Sequence, residues 1–373
     1  MDLLRHLTDR LHQLKRRIAT RPPTPSGVLL VSSGGVGDTI LFSLIAPKFA
    51  ALTEPGEDIH VVVQKASEAV GFLFPEGVKQ IPLDYRRFIR NPCYRMKFLD
   101  RIFQRNYRIA ISTDHLRLPT VDDAIVAAAE ATQAYALRPR TWPKHDAELL
   151  GNQRFYTRWI EPSPGMAHRM VRWWELLTAI SGGANVEKSP IPKVRFDDAL
   201  MPPAEHRDRP YVVLHPFTSE RARSPAPWVW SALAEKLQPD FDIVVSVGPG
   251  DLARCPEYNA LLEISEVVAD HRSLLEKLSL FRGAQMTVSV DTSVMHLAAG
   301  SGAPTFCLAS AAHVVDSVPY DERIRPENVT FLYQEMDCQG CLGACIHPLK
   351  EDRFACVDAL TPERVVAAVL ERL

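Results

Sequence analysis

Short apolar runs alternate along the chain with longer stretches in which apolar residues recur every three or four positions. The short runs are typical of buried strands, and the longer ones are typical of amphipathic helices, for example Asp38–Leu52 and Val229–Leu237. Continuous apolar strands separated by helices indicate parallel sheets covered on both faces. The predicted strands are Gly27–Ser32, Ile59–Gln64, Arg108–Ser112, Tyr211–His215, Ile243–Val247, Met286–Val290 and Thr305–Leu308.

The alternation is interrupted by a linker-like segment rich in proline and charge, Glu187–Pro210. The order of buried strand, polar turn and helix begins again after it. The sequence therefore predicts an α/β fold of two Rossmann-like, doubly wound domains that face each other across a ligand-binding cleft. We place these domains at residues 27–195 and 196–373, and a separate helical segment at residues 1–26.

The segment 1–26 has leucines at helical spacing with arginine and lysine between them. Such a helix either docks on the fold or on a second subunit, or lies on an anionic membrane surface. Because no signal peptide or long apolar run is found, we expect a cytoplasmic protein, with peripheral contact with the inner membrane as the alternative. The leucines are Leu3, Leu4, Leu7, Leu11 and Leu14.

The composition of the chain indicates its size class and argues against one class of function. The chain has 373 residues, of which 46% are hydrophobic and 24% charged, and this is enough for two domains with separate cores. The net charge is -2 and no long run of one sign occurs, which argues against a general nucleic-acid binder.

A glycine-rich turn, Ser32–Asp38, follows the first predicted strand. Its spacing is not that of a dinucleotide fingerprint, and no lysine follows as in a P-loop, so hydride and phosphoryl transfer are poorly supported. Glycines such as Gly35 and Gly37 let another molecule approach the backbone. Asp38 has two readings, a cap at the start of a helix or a general base that faces a ligand.

Three turns of the second half carry residues suited to a nucleotide. Hydroxyls of Thr218 and Ser219 stand beside Arg221 and Arg223, which suits phosphate oxygens unless the arginines simply face solvent. Asp251 follows a glycine turn and either accepts the hydroxyls of a ribose or caps its own turn.

The third of these turns begins a helix of small residues. Asp291 and Thr292 end a buried strand, and hydroxyl and amide donors at a helix start suit an anion. His296 lies about one helical turn further on, where it either contacts a diphosphate or is a core histidine with satisfied hydrogen bonds.

Four of the seven cysteines lie close together near the C-terminus, with the spacing C-x2-C-x3-C-x10-C. Four thiolates can close a tetrahedral site around zinc or iron, and His347 could replace one of them. Free thiols and disulfides are the alternatives. If a metal binds, we expect it to stabilise the fold and to take no part in catalysis. The four cysteines are Cys338, Cys341, Cys345 and Cys356.

Taken in order, these segments resemble glycosyltransferase family 9, the ADP-heptose:lipopolysaccharide heptosyltransferases. The resemblance rests on "SSGGVGDTILFSL", "HPFTSERARSPAPWVW", "DTSVMHLAA" and "CQGCLGAC", and it extends from about Val28 to the C-terminus. It implies a GT-B fold and an inverting transfer of heptose, or a related sugar, from an ADP-activated donor without a catalytic metal. A subset of the family that acts on autotransporter proteins has a similar iron-binding cysteine segment.

The resemblance also implies a role for each motif residue. Asp38 would be the base, Asp251 would hold the ribose and Asp291 would anchor its turn. The acceptor would be a lipopolysaccharide-type glycan, another glycolipid or a protein. The diphosphate would contact Thr218, Ser219, Arg223, Thr292 and His296, and the acceptor side would include Gly35, Gly37, Asp114, His115 and Arg117.

The sequence departs from the family pattern at several positions. Arg223 stands where lysine is common, Ser293 replaces a glycine, and Pro225 falls where a tryptophan is expected. Asp251 is one methylene shorter than the usual glutamate. These changes bear on the identity of the donor more than on the fold. The alternative to a transferase is a catalytically silent GT-B protein that binds nucleotides or serves in assembly; it would lack the base or the diphosphate residues, which are mostly present here.

Overall fold

The fold is described from a computed structural model, which describes residues 2–142, 144–182, 190–268 and 273–373. Within this part of the chain, the side chains of residues 2–4 and 6 are not described, so Leu3 and Leu4 of the predicted leucine pattern lie outside it. Glu187–Ser189, the start of the predicted linker, also lie outside. The chain divides into two compact units, the first formed by Met1–Gly165 and Arg169–Ile191, and the second by Met166–His168 and Pro192–Leu373.

Each unit is built on a parallel sheet. In the first unit the strand order is β3-β2-β1-β4-β5-β6, and in the second it is β12-β11-β10-β7-β8-β9. The strands are β1 Val28–Val31, β2 Ile59–Gln64, β3 Val78–Leu83, β4 Ile109–Ser112, β5 Gln133–Leu137, β6 Arg158–Ile160, β7 Tyr211–His215, β8 Asp242–Ser246, β9 Glu266–Val268, β10 Met286–Val290, β11 Thr305–Leu308 and β12 Val329–Leu332.

Helices connect the strands of both sheets. The described helices are α1 Asp2–Arg16, α2 Val36–Ile45, α3 Tyr85–Arg90, α4 Pro92–Gln104, α5 Ala124–Ala129, α6 Asp146–Gly151, α7 Arg169–Ser181, α8 Pro227–Leu237, α9 Asp251–Arg254, α10 Asn259–Glu263, α11 Leu274–Gly283, α12 Ser293–Gly300, α13 Ala355–Asp358 and α14 Pro362–Leu370. No helix in the described residues is long and apolar enough to cross a membrane.

The predicted α/β class with two Rossmann-like domains is confirmed, because both sheets have the strand order of the Rossmann fold. All seven predicted strands are present, with shifts of one residue at some ends. The helix predicted over Asp38–Leu52 begins earlier, at Val36, and its α-helical part ends at Ile45. Pro47 cannot donate an amide hydrogen bond, and 3₁₀ turns continue from Ala46 to Leu52.

The order of strands fixes where a ligand can bind within each unit. In the first unit, successive strands are added towards one edge of the sheet from β1 to β3 and towards the other edge from β4 to β6. The order reverses in the same way between β7 and β10 in the second unit. In open parallel sheets, ligands bind at the carboxyl ends of the strands beside such a switch point. The turns that follow these four strands are therefore the first places to look for a site.

Candidate functional site

The switch point of the second unit carries a compact polar cluster on the turns that follow β7 and β10. Arg223 Nη2 donates to Thr218 Oγ1 at 3.0 Å, and Arg223 Nη1 lies 3.4 Å from Asp291 Oδ2. Thr218 and Arg223 belong to one turn and Asp291 to the other. They meet because β7 and β10 are paired neighbours, with Ser289 opposite His215. We call Thr218, Arg223, Asp291 and Thr292 the switch-point cluster.

Several polar atoms of the switch-point cluster are buried without a hydrogen-bond partner among the described residues. They are Arg223 Nε, Asp291 Oδ1 and Thr292 Oγ1, of which Arg223 Nε lies 3.5 Å from Glu220 Oε2 in an ion pair. Thr292 is the N-cap of α12, yet its side chain makes no capping hydrogen bond. A buried polar atom left unpaired is costly, so a bound anion that accepts from Arg223 and Thr292 would stabilise the cluster.

Asp291 is the one carboxylate of the cluster, and it is almost completely buried. Burial raises the pKa of Asp291 to about 7, although the charge of Arg223 acts in the opposite direction. The carboxyl of Asp291 therefore keeps its proton to a higher pH than an exposed aspartate does. A protonated Asp291 no longer holds the charge of Arg223, which leaves the guanidinium available to an anion.

The other predicted donor residues are placed differently. His296 is buried, its Nδ1 lies 2.7 Å from Tyr320 Oη, and the two rings are stacked. Asp251 Oδ2 accepts from the amide of Gly248 at 2.7 Å, and Asp251 also pairs with Arg254. These contacts match the core-histidine and turn-aspartate readings, while the diphosphate and ribose roles stay predictions. Ser219 is exposed on the turn after β7.

At the switch point of the first unit, the glycine-rich turn leads from β1 into α2. Asp38 is the third residue of the helix, and its Oδ2 accepts from the amide of Gly35 at 2.9 Å. A Cβ atom at Gly34 would lie 2.5 Å from Asp38 Oδ2, so only glycine leaves room for the carboxylate in this position. Gly35 is exposed, and Gly37 is half-buried in the first turn of α2.

Asp38 also forms an ion pair that the sequence did not suggest, through its Oδ1 with Nη1 of Arg169 at the start of α7. The two residues are far apart in the chain, and nothing in their local patterns links them. The Asp38 side chain remains 28% exposed. A carboxylate offers about four lone-pair positions, so these two contacts leave room for a further donor.

A second carboxylate, which no motif predicted, contacts the glycine-rich turn at Ser33. Asp122 is buried, and it accepts from Ser33 Oγ at 2.5 Å and from the amide of Leu118 at 2.6 Å. Burial raises the pKa of Asp122 to about 6. Its position ties the start of the glycine-rich turn to the segment that follows β4.

The three predicted acceptor-side residues of the segment after β4 differ in how far they are buried. Asp114 and His115 are half-buried. Arg117, in contrast, is completely buried, pairs with Asp123 at 2.8 Å and donates to the carbonyl of Leu137. The acceptor-side prediction for Arg117 is therefore corrected to a structural role, because its guanidinium is enclosed in the interior of the unit.

We call residues 338–356 the cysteine segment, and three of its four cysteines lie close together. The Sγ atoms of Cys338, Cys341 and Cys345 lie within 4.8 Å of one another. Cys356 is buried with its Sγ 3.6 Å from Ser310 Oγ, and it does not belong to this group of three. His347 instead forms a group with Asp337 and Cys338, and its Nε2 lies 2.7 Å from Asp337 Oδ1.

The cysteine segment also contacts the turn that carries Arg223. The amide of Phe354 donates to the carbonyl of Ala222 at 2.9 Å, and Cys341 and Cys345 pack on a small apolar cluster with Ala222. Backbone hydrogen bonds join Gly340 to Ala311 and Leu342 to Ala312. The segment is thus bonded to the second unit at several points of its backbone.

The sequence model of "Glycosyltransferase family 9 (heptosyltransferase)" matches residues 125–339, which is more than half of the chain. The chain belongs to glycosyltransferase family 9. It is accordingly a glycosyltransferase of the heptosyltransferase type, and the resemblance stated from its motifs is confirmed. A search of curated proteins gave no match.

Solved structures similar to this family 9 member share its fold across nearly the whole chain. E. coli heptosyltransferase WaaC with ADP-2-deoxy-2-fluoro heptose is 20% identical, with a TM-score of 0.62 over 93% of this chain and 99% of that one. The family 9 glycosyltransferase of Veillonella parvula is 12% identical, with a TM-score of 0.66 over 93% and 97%. At these identities the likeness shows the fold, which is GT-B.

A third similar structure is the iron-containing dodecameric glycosyltransferase TibC of enterotoxigenic E. coli. It is 14% identical, with a TM-score of 0.54 over 95% of this chain and 77% of that one. The name records iron in TibC, and the family 9 chain described here has three clustered thiols of the kind that bind iron or zinc.

Proposed function

We propose that this family 9 enzyme transfers heptose, or a related sugar, from an ADP-activated donor to a hydroxyl of a glycan, glycolipid or protein acceptor, with inversion at the anomeric carbon. The observation that carries the proposal is the switch-point cluster, where cationic and hydroxyl donors with unpaired buried atoms surround the end of β10. Preorganised donors of this kind stabilise the charge of a departing diphosphate. The similar structures of WaaC and TibC with ADP-heptose or its fluoro analogue support the choice of donor.

The proposed reaction assigns Asp38 the role of general base. Its carboxylate is oriented by the Gly35 amide and by Arg169, and it keeps lone pairs for the acceptor hydroxyl. The base removes the hydroxyl proton as the oxygen attacks the anomeric carbon, and the bond to the diphosphate breaks. The same two contacts would also suit a helix cap in a catalytically silent protein. Transfer of heptose from ADP-heptose by the wild-type protein decides between the two functions.

The proposal also places the reaction in the cytoplasm. Thiols such as those of Cys338, Cys341 and Cys345 stay reduced in that compartment, and all three are free in the structure. The acceptor stays open among glycan, glycolipid and protein.

Donor affinity is expected to fall by about tenfold when the pH rises from about 6 to 8. The raised pKa of Asp291, about 7, means that the folded protein loses a proton from this carboxyl in that range. The ionised carboxylate repels the diphosphate and competes for Arg223, so binding is favoured below the pKa and weakened above it. Calorimetry with ADP-heptose measures the effect, because a diphosphate esterified at both ends has no proton of its own to lose near neutral pH.

The matched control for this pH dependence is Asp291→Asn. The amide keeps the shape of the side chain but does not titrate, so the affinity of this variant should be nearly constant over the same range. An equally steep decline in the variant would assign the titration to another group.

We further propose that Cys338, Cys341 and Cys345 hold a structural zinc or iron ion, with a fourth ligand from His347 or Cys356. The mutual separation of the three sulfur atoms, within 4.8 Å, suits tetrahedral coordination with metal–sulfur bonds of about 2.3 Å. Soft thiolate ligands select zinc or iron over magnesium or calcium. The metal supplies folding energy to the segment, and no step of the transfer depends on it.

Loss of a thiol from this group is expected to release the metal and to lower the melting temperature by roughly 5 °C or more. Native mass spectrometry of the purified protein and of Cys341→Ser gives the metal content, and a thermal scan gives the stability. Cys93→Ser is the control, since Cys93 is exposed in the first unit and outside the group. A wild-type protein that weighs as the bare chain would contradict the metal proposal.

A further inference from the structure

Helix α1 is attached to the first unit by polar contacts along one face. Arg95 Nε donates to Asp9 Oδ1 at 2.6 Å, and Lys15 pairs with Asp100 on α4. Thr8 and His12 are buried on the same side. The orientation of the helix about its own axis is thereby fixed, so its opposite face has a defined composition.

The opposite face of α1 is apolar and exposed. Leu7, Leu11 and Leu14 are 52%, 51% and 56% exposed, and Ile18 in the turn just after the helix is 87% exposed. Their spacing of three and four residues places them in one stripe. Single exposed leucines are common, but a continuous apolar stripe on a surface helix marks an interaction site.

Cationic side chains border this stripe. With about 100° between successive residues of a helix, Arg10 lies roughly 70° to one side of it, and Arg17 follows beside Ile18 on that same side. Lys15 lies roughly 70° to the other side, but its charge is paired with Asp100. Arg10 also lines a hollow of about 420 Å³, together with Arg154. Acidic neighbours in the hollow are Asp9, which pairs with Arg95, and Glu148.

We propose that the stripe of Leu7, Leu11, Leu14 and Ile18, bordered by Arg10 and Arg17, docks on the surface of a bilayer that contains anionic phospholipids. An apolar stripe with cationic side chains along its border is the pattern of a helix that lies in the membrane interface. A second copy of the chain is a poor occupant, because a symmetric interface would set the same cations against each other. The inference does not depend on the proposed transfer reaction.

Flotation of the full-length protein with vesicles tests the inference. Wild-type protein should bind vesicles that contain phosphatidylglycerol, should release them at high salt and should not bind vesicles of phosphatidylcholine alone. Replacing Arg10 and Arg17 with Gln should weaken binding by roughly 25-fold, about fivefold for each charge. Replacing Leu7, Leu11 and Leu14 with Ser should weaken it by about tenfold or more.

A matched variant replaces three exposed leucines of the second unit, Leu275, Leu349 and Leu373, with Ser. Its vesicle binding should equal that of the wild type, and unchanged circular dichroism and ADP binding in all variants show that the fold is intact. Equal binding to both kinds of vesicle, or no effect of the α1 substitutions, would overturn the inference. So would a dimer, seen by ultracentrifugation without lipid, that the α1 leucine variant dissociates, because a second copy would then cover the stripe.

Discussion

Asp38→Asn is expected to lower kcat for transfer from ADP-heptose by about 10²–10⁴-fold, the usual contribution of a general base. Asparagine keeps an oxygen that can accept from the Gly35 amide, so the start of α2 stays capped while the basic lone pair is lost. The affinity for the donor should not change, because Asp38 lies in the first unit and the switch-point cluster lies in the second. Steady-state kinetics and calorimetry on the same preparation separate the two quantities.

Asp84→Asn is the matched control for this substitution. Asp84 caps α3 by accepting from the amide of Arg87 at 3.0 Å, so the change removes a capping carboxylate of the same unit away from the turn after β1. Its kcat should equal that of the wild type. If Asp38→Asn transfers as fast as the control, Asp38 is only a cap. If the wild type binds ADP and transfers nothing, the catalytically silent alternative holds.

Arg223→Ala is expected to weaken donor binding by about 10- to 100-fold. Hydrogen bonds to charged groups contribute about 1.5–3 kcal/mol each, and a change of about 1.4 kcal/mol corresponds to one factor of ten. The substitution also leaves Asp291 buried without its cationic neighbour. Arg223→Lys should give an intermediate affinity, since the charge returns without the fork-shaped pair of donors. Titration calorimetry with ADP-heptose measures all three proteins.

Arg221→Ala provides the comparison for Arg223. Both arginines belong to one short 3₁₀ turn, but Arg221 is 63% exposed and pairs with Glu257. Donor affinity should change little in this variant, because an exposed ion pair contributes about 0–1 kcal/mol. Equal losses in the two variants would mean that the turn acts through its total charge, and the cluster would then lose its assigned role.

Strands buried on both faces were predictable because their apolar residues are continuous, as in the run that contains Val28–Val31. Among the described residues five further strands occur that the pattern missed, and three of them are of other kinds. In β3 exposed and half-buried residues, a proline among them, lie between the buried ones, and β6 and β9 have three residues each. Short strands contain too few residues to show a period, and their pairing is decided by the sheet they join.

The residues of the candidate site also fall into two groups, those that a local pattern predicted and those whose contacts depend on the fold. Thr218, Arg223, Asp291 and Thr292 were found from local turns, since strand ends in a parallel sheet converge on one edge. The sequence did not reveal Arg169 as the partner of Asp38, because this contact depends on how α7 packs. Arg117 was misplaced for a related reason: an arginine after a strand resembles a ligand-binding residue until its burial beside Asp123 is known.

The hydrogen bond between Phe354 and Ala222 affects how this chain can change in evolution. Surface insertions are gained and lost readily when their backbone makes few bonds to the rest of the domain. The cysteine segment is not of that kind, because its removal would expose the carbonyl of Ala222 and the apolar side chains of Ala311, Ala312 and Val314. Lineages that lose the cysteines should therefore retain a segment of similar length, with apolar residues in place of the thiols that pack on this cluster.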